Sequence, residues 1–356
     1  MTLASVIGQP RAIDALQAAL RGGVVHHAYL FAGPEGVGKE LAAVGLAQAL
    51  ICPEQPDVGC GTCASCTRVV KGLHPDVTWL MPDDERVSRG LAGRSDFTGT
   101  PSRDIRVEQI RGLQERISLR GLESRRKVAL IVSAQRMNDQ AQNAFLKTLE
   151  EPPADTTLIL TSSTPGALLP TIRSRVLPVR LLPLAPEEVS EFLVKRKGMQ
   201  PGEAEAVAAL SGGAIGRALR LLPSGDGPGP LEKQRQAGRA LLLAATADQS
   251  TARLAAALAE APTGGRGEFT GTLEAFSVWL RDLMAAASGA EELVVNGADV
   301  AMLSQVVRRR DIRPLGVGRA LDRVQRAAEL ASGNVNPQLI LADLLRGVRR
   351  DLLGAA

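Results

Sequence analysis

The stretch Gly33-Pro-Glu-Gly-Val-Gly-Lys39-Glu40 constrains the fold more than any other part of this chain. Its spacing reproduces the glycines and lysine of G-x-x-x-x-G-K-[ST], a turn that joins a buried strand to a helix and cradles phosphate on backbone N–H groups. Ala28-Tyr-Leu-Phe-Ala32 before it reads as the strand, and Lys39 to about Leu50 as the helix. A parallel sheet with helices on its faces is the architecture that accepts such a unit. Glu40 occupies the position of the hydroxyl residue that ordinarily ligates magnesium. A carboxylate there repels phosphate. The next buried strand, Lys127 to Ser133, should end in an acidic pair for metal and water, but Val132 and Ser133 stand there instead. The residues therefore predict a nucleotide-type fold that does not hydrolyse.

With 356 residues the chain is long enough for two or three domains. Short apolar runs alternate with helical patterns through the first half, as βαβ units require. Asp76–Met81 and Thr157–Thr161 read as further strands, and Val176–Arg180 as an edge strand because Pro178 cannot donate to a central ladder. Val107, Ile110, Leu113 and Ile117 recur at helical spacing, and a helix from about Asn138 must stop at Pro152-Pro153. Residues 82–104, polar with Gly and Ser throughout, read as a mobile loop. Three short helices are expected over 187–197, 202–210 and 216–222, then a Pro/Gly linker at 223–230 and a helical tail at 231–356.

All four cysteines, Cys52, Cys60, Cys63 and Cys66, fall within one short stretch. They supply the four soft ligands of a closed tetrahedral zinc site, which has no open position and is structural. A redox Cys-x-x-Cys pair would leave two thiols without a role. His74 is the alternative ligand, or an ordinary loop residue. No apolar run reaches the ~18 residues of a membrane span, and the first residues lack the regions of a signal peptide, so a cytoplasmic location is expected. With 42 basic and 38 acidic residues the net charge is only +4, which does not argue for direct DNA binding. Aromatics are 3% of the chain, and the cysteine stretch lacks the basic and aromatic surround of a nucleic-acid module.

Val6-Ile-Gly-Gln9, His27 to Lys39, the four-cysteine insertion, Asn143 to Pro153 and Ser174-Arg175 together resemble bacterial clamp-loader subunits of the AAA+ class. The resemblance runs through about residue 225. It implies an AAA+ core at 1–180 with the zinc module at about 52–66, a helical lid at 181–222, a linker at 223–230 and an all-α collar at 231–356. In this family a Ser-Arg-Cys motif lends an arginine to the ATP of the adjacent subunit. Here it reads Ser174-Arg175-Val176, so Arg175 is the implied finger in trans and the cysteine is lost. Gly213-Ala-Ile-Gly216-Arg217 resembles the lid segment of a second phosphate-sensing arginine, although Arg217 equally suits a solvent-facing helix start. Gly33, Gly36, Gly38 and Lys39 form a degenerate site, which either keeps nucleotide without turnover or is a relic of the turn. Lys147 and Glu150 are explained by an i,i+3 surface pair. The implied partners are the tau/gamma-type motor subunits and the delta subunit, and through them the sliding clamp and primed DNA. An active ATPase motor with substituted ligands, Asp139 for instance, is the alternative.

Overall fold

The computed structural model describes residues 2–223, 225, 227–261, 266–331 and 335–354. Ser224 and Asp226 of the predicted linker, and residues 262–265, 332–334 and 355–356 of the predicted collar, lie outside them. Two compact units result: residues 1–189 with 213–216, and residues 190–212 with 217–356.

The first unit is an α/β layer structure. In chain order it holds α1 (Pro10–Arg21), β1 (Ala28–Ala32), α2 (Lys39–Ile51), α3 (Ala64–Val70), β2 (Val77–Leu80), α4 (Asp83–Ser88), α5 (Val107–Ser118), β3 (Lys127–Ile131), α6 (Asp139–Glu150), β4 (Thr156–Ser162), α7 (Pro170–Arg173) and β5 (Leu177–Arg180). The five strands pair in parallel in the order β2-β3-β4-β1-β5. Side chains alternate across the sheet, as the twofold period of a strand dictates. Tyr29, Phe31, Val128, Leu130 and Ile159 pack with α1 and α2 on one face. Ala28, Leu30, Ala129, Ile131 and Leu158 pack with α5 and α6 on the other. Both faces are covered, which is why the strands read as continuous apolar runs. Helix α2 is buried around most of its circumference, from Ala42 to Ala49.

β5 lies at the edge, as Pro178 requires. The segment read as a loop, 82–104, contains α4, because Pro82 sets the entry and Asp83, Asp84 and Glu85 suit the first helical turn. Three helices had no expectation at all: α1, α3, which begins within the cysteine stretch, and α7.

Asp76, just before β2, ties this unit together. Its carboxylate is 5% exposed and accepts the N–H groups of Leu122, Glu123 and Ser124 at 2.6, 2.9 and 2.7 Å. Burial alone would raise its pKa, but the three donors outweigh burial and hold it below the usual carboxylate value. That stabilisation is complete above the unfolded value of about 3.9 and is lost as pH falls through the lower folded value. Asp76→Ala strands the three donors and is expected to cost about 2–3 kcal/mol. Urea midpoints of the two proteins at neutral pH check this; coincident midpoints would refute the role.

The second unit is helical, with α8 (Pro186–Lys197) and α10 (Ile215–Leu221) crossing the division and α9 (Pro201–Ser211) within it. It continues through α11 (Pro230–Thr246), α12 (Ser250–Ala259), α13 (Arg266–Ala287), α14 (Val300–Arg310), α15 (Pro314–Ala331) and α16 (Pro337–Leu353). Its core gathers Leu241, Phe276, Trp279, Leu280, Val317 and Leu341 among others. Trp279 Nε1 donates to the Arg235 carbonyl at 2.8 Å, and the buried Asp282 accepts the N–H groups of Val295 and Asn296. No described helix is long and apolar enough to cross a membrane.

Candidate functional site

The turn from β1 into α2 keeps the shape of a phosphate loop. Gly36 and Gly38 have φ of 84° and 98°, values that side chains with a Cβ rarely adopt. Gly38 is the N-cap of α2, so the free N–H groups of the first helical turn open toward the loop. Gly213–Gly216 belongs to the same unit and closes on it, the Gly216 N–H donating to the Gly36 carbonyl at 2.8 Å. A Cβ at Gly216 would stand 2.9 Å from the Gly36 Cα, so only glycine fits. The Lys39 ammonium donates to the carbonyls of Gly33 at 2.8 Å and Pro34 at 2.7 Å, turned onto its own loop. Its pKa is lowered by burial, with Glu35 opposing.

Glu40 is not a bare negative charge. Both its oxygens are held by the Arg89 guanidinium, at 2.5 and 2.8 Å, and Arg89 also pairs with Glu85. The bond to Glu40 raises the Arg89 pKa further, against burial. The expectation of simple repulsion is thereby corrected: a planar fork matches a carboxylate, and the pair sits at the start of α2. Arg89 was missed because it lies in the stretch read as a loop. Beyond β3, Val132 is 4% exposed, and Ser133 adopts φ 54°, ψ 47° with its N–H on Thr161 Oγ1 at 3.1 Å. Neither residue brings a carboxylate. Asp139 begins α6 after an intervening 3₁₀ turn.

Arg175 follows α7. Its Nη2 pairs with Glu150 Oε1 at 2.8 Å and its Nη1 donates to the Thr171 carbonyl at 3.0 Å. The side chain remains 37% exposed. Glu150 thus partners Arg175 across the fold; no described ion pair joins it to Lys147, contrary to the i,i+3 expectation. The reason is that α6 ends beside the turn after α7. An open cavity of about 530 Å³ is lined there by His26, His27, Glu150, Ser174 and Arg175. His27 is kept neutral-leaning by burial and by the neighbouring His26, whose ring centroid is 4.3 Å away. Val176, in place of the family cysteine, is buried in the apolar cluster under α6. Arg217 is exposed on α10 and belongs to the helical unit.

The four cysteines meet. Their sulfurs all lie within 4.8 Å of one another, with Cys52–Cys63 and Cys60–Cys66 at 3.9 Å. Four ligands at ~2.3 Å from a tetrahedral zinc stand about 3.8 Å apart, so the set fits the ion. Backbone N–H groups of Gln55, Cys63 and Cys66 approach the sulfurs of Cys52, Cys60 and Cys63 at 3.3–3.4 Å, the donors a thiolate cluster needs. The N–H groups of Thr62 and Cys63 bring the Cys60 thiol down to about 6, whereas burial pushes Cys66 up. His74 is not in the group; its Nδ1 accepts the Asp76 N–H at 3.1 Å. The module is moored by Gln48 Nε2 on the Cys66 carbonyl at 3.0 Å and by the Arg68–Glu123 pair.

A profile of the family described as "DNA polymerase III, delta subunit" matches residues 8–185, half of the chain. The protein called DNA polymerase III subunit delta' of Bacillus subtilis (strain 168) is 36% identical over 188 residues, which is 53% of this chain and 52% of that protein. Its namesake in Pseudomonas aeruginosa is 38% identical over 227 residues, 63% of each. DNA polymerase III subunit tau of Salmonella typhimurium is 30% identical over 273 residues, 75% of this chain and 39% of that protein. The chain spans between about half and somewhat under two thirds of the delta' relatives it matches.

Proposed function

Because the chain belongs to the DNA polymerase III delta-subunit family of AAA+ clamp-loader proteins, we propose that it is a non-hydrolysing subunit that lends Arg175 to the ATP of a neighbour. One observation carries this reading: no carboxylate stands in residues 132–138, directly after β3, while a partly exposed arginine lines an open cavity. Hydrolysis needs a metal held beside the phosphates and a positioned water. Val132 and Ser133 can do neither, and Glu40 is engaged by Arg89. A guanidinium has the permanent charge and planar fork to stabilise phosphate oxygens. Its tie to Glu150 is a surface pair, worth about 0–1 kcal/mol, and is readily exchanged for a triphosphate.

In this account Cys52, Cys60, Cys63 and Cys66 hold a structural zinc, which supplies cross-linking and no chemistry. Gly33, Gly36, Gly38 and Lys39 form a degenerate nucleotide site. Residues 181–222 act as lid and 231–356 as collar. The motor subunits of tau/gamma type and a delta subunit are the partners, with the clamp and primed DNA reached through them, in the cytoplasm.

The test is a titration of ATP turnover. The chain alone is expected to release no phosphate above background, and its addition to purified tau/gamma-type subunits is expected to raise theirs. Magnesium-dependent turnover by the isolated chain, lost in Lys39→Ala, would instead establish an active motor.

A further inference from the structure

The sheet has a second edge, β2, and it is open. Val128 donates to the Asp76 carbonyl and Val132 to that of Leu80, so Asp76, Thr78 and Leu80 face β3. The intervening residues therefore turn their backbone groups outward. The Val77 N–H is taken by His74, but the N–H and C=O of Trp79 have no partner among the described residues. Alongside runs a groove of about 700 Å³. One wall is the exit of the cysteine module, residues 71–76, and the other is α5 with the turn after it. Leu73, Leu91, Leu119 and Leu122 line it at between 50% and 80% exposure. The indole Nε1 of Trp79, also in the lining, is buried without an acceptor.

The charges around the groove are one-sided. Lys71, Arg116 and Arg120 line it and make no ion pair among the described residues; Arg86 adds a fourth cation, 5.8 Å from the Phe97 ring centre, and Lys127 a fifth, donating to the carbonyls of Ile117 and Leu119. The one acid in the lining, Asp76, is spent on three backbone donors. An extended segment meets every element: its backbone completes the Trp79 pair, alternate aliphatic side chains cover the leucines, and acids face the cations. We propose that β2 and the cysteine module form a docking groove for an extended segment of another protein in which acidic and aliphatic residues alternate. The module's task is then to build the wall at residues 71–76. A nucleic-acid strand matches the observations less well, since it gives no ladder bond to a sheet edge and the groove's only aromatic rings are Trp79 and the buried His74.

The probe is a short fluorescein-labelled peptide of alternating glutamate and valine, titrated with the full chain by anisotropy. Saturable binding is expected. Arg116→Glu with Arg120→Glu, both on exposed side chains, should weaken it by about tenfold or more. A peptide of equal charge with proline at the valine positions should not bind, because proline cannot pair with an edge. Equal binding of the proline peptide, no binding of the first, or full displacement by oligo-deoxythymidine would each overturn the proposal. Emission from Trp79, read in a Trp279→Phe background, should move to the blue on saturation; unchanged emission would count against docking at this edge.

Discussion

Arg175→Ala is expected to leave the chain folded, able to join motor subunits, and unable to stimulate them. Fingers of this kind in GTPases are worth ~10³–10⁵ in rate, so a fall of about 10³-fold is expected at the one site the arginine would face. In an assembly with several ATP sites the total turnover drops only by that site's share. Single-turnover measurement on the adjacent site is therefore the sharper assay. Stability should change by no more than about 1 kcal/mol, since Arg175 is 37% exposed and its ion pair lies at the surface. Arg175→Lys should recover little, because an ammonium lacks the fork. Glu150→Ala removes the competing carboxylate and should preserve or raise stimulation. If Arg175→Ala stimulates like the unaltered chain, the role in trans is wrong.

Loss of any one cysteine is expected to have the largest effect on structure. Zinc-finger peptides derive about 10–16 kcal/mol from the metal, and residues 52–70 contain one short helix, α3, to hold themselves together otherwise. Cys66→Ser should abolish stoichiometric zinc in elemental analysis of the purified chain. Hydrogen exchange should then rise across residues 52–74, while β1, β3 and β4 stay protected by the two apolar layers that flank them. A chain that carries no zinc yet keeps full protection at 52–74 would dispose of the structural-metal reading. A strong chelator should reproduce the variant in the unaltered protein.

The sheet was legible because each central strand is buried on both faces and so appears as an unbroken apolar run. Strand β3 was read two residues too long: Val132 continues the apolar pattern, but Ser133 turns into the left-handed region and ends the ladder. Helix α1 went unread although Ile13, Leu16 and Leu20 recur at helical spacing and Pro10 opens it; that signal was present. α4 was hidden by its polarity, since a helix with no buried residue has no apolar stripe to detect. The cysteine set needed only spacing, because four thiols so close along the chain can be gathered by a few tight turns and one short helix.

Sequence alone settled the strand–loop–helix unit at Gly33–Lys39, the absence of acids at 132–138 directly after β3, the four clustered thiols and the Ser174-Arg175 pair, because each is a matter of residue type at short spacing. Tertiary structure decided which charges meet: Glu40 with Arg89, 49 positions apart, Arg68 with Glu123, 55 apart, and Arg175 with Glu150. It also decided that β2 is the strand left open. The physical reason is that local periodicity follows from backbone geometry, which neighbouring residues share, whereas an ion pair or a sheet edge depends on where distant segments are brought by the burial of the apolar faces between them.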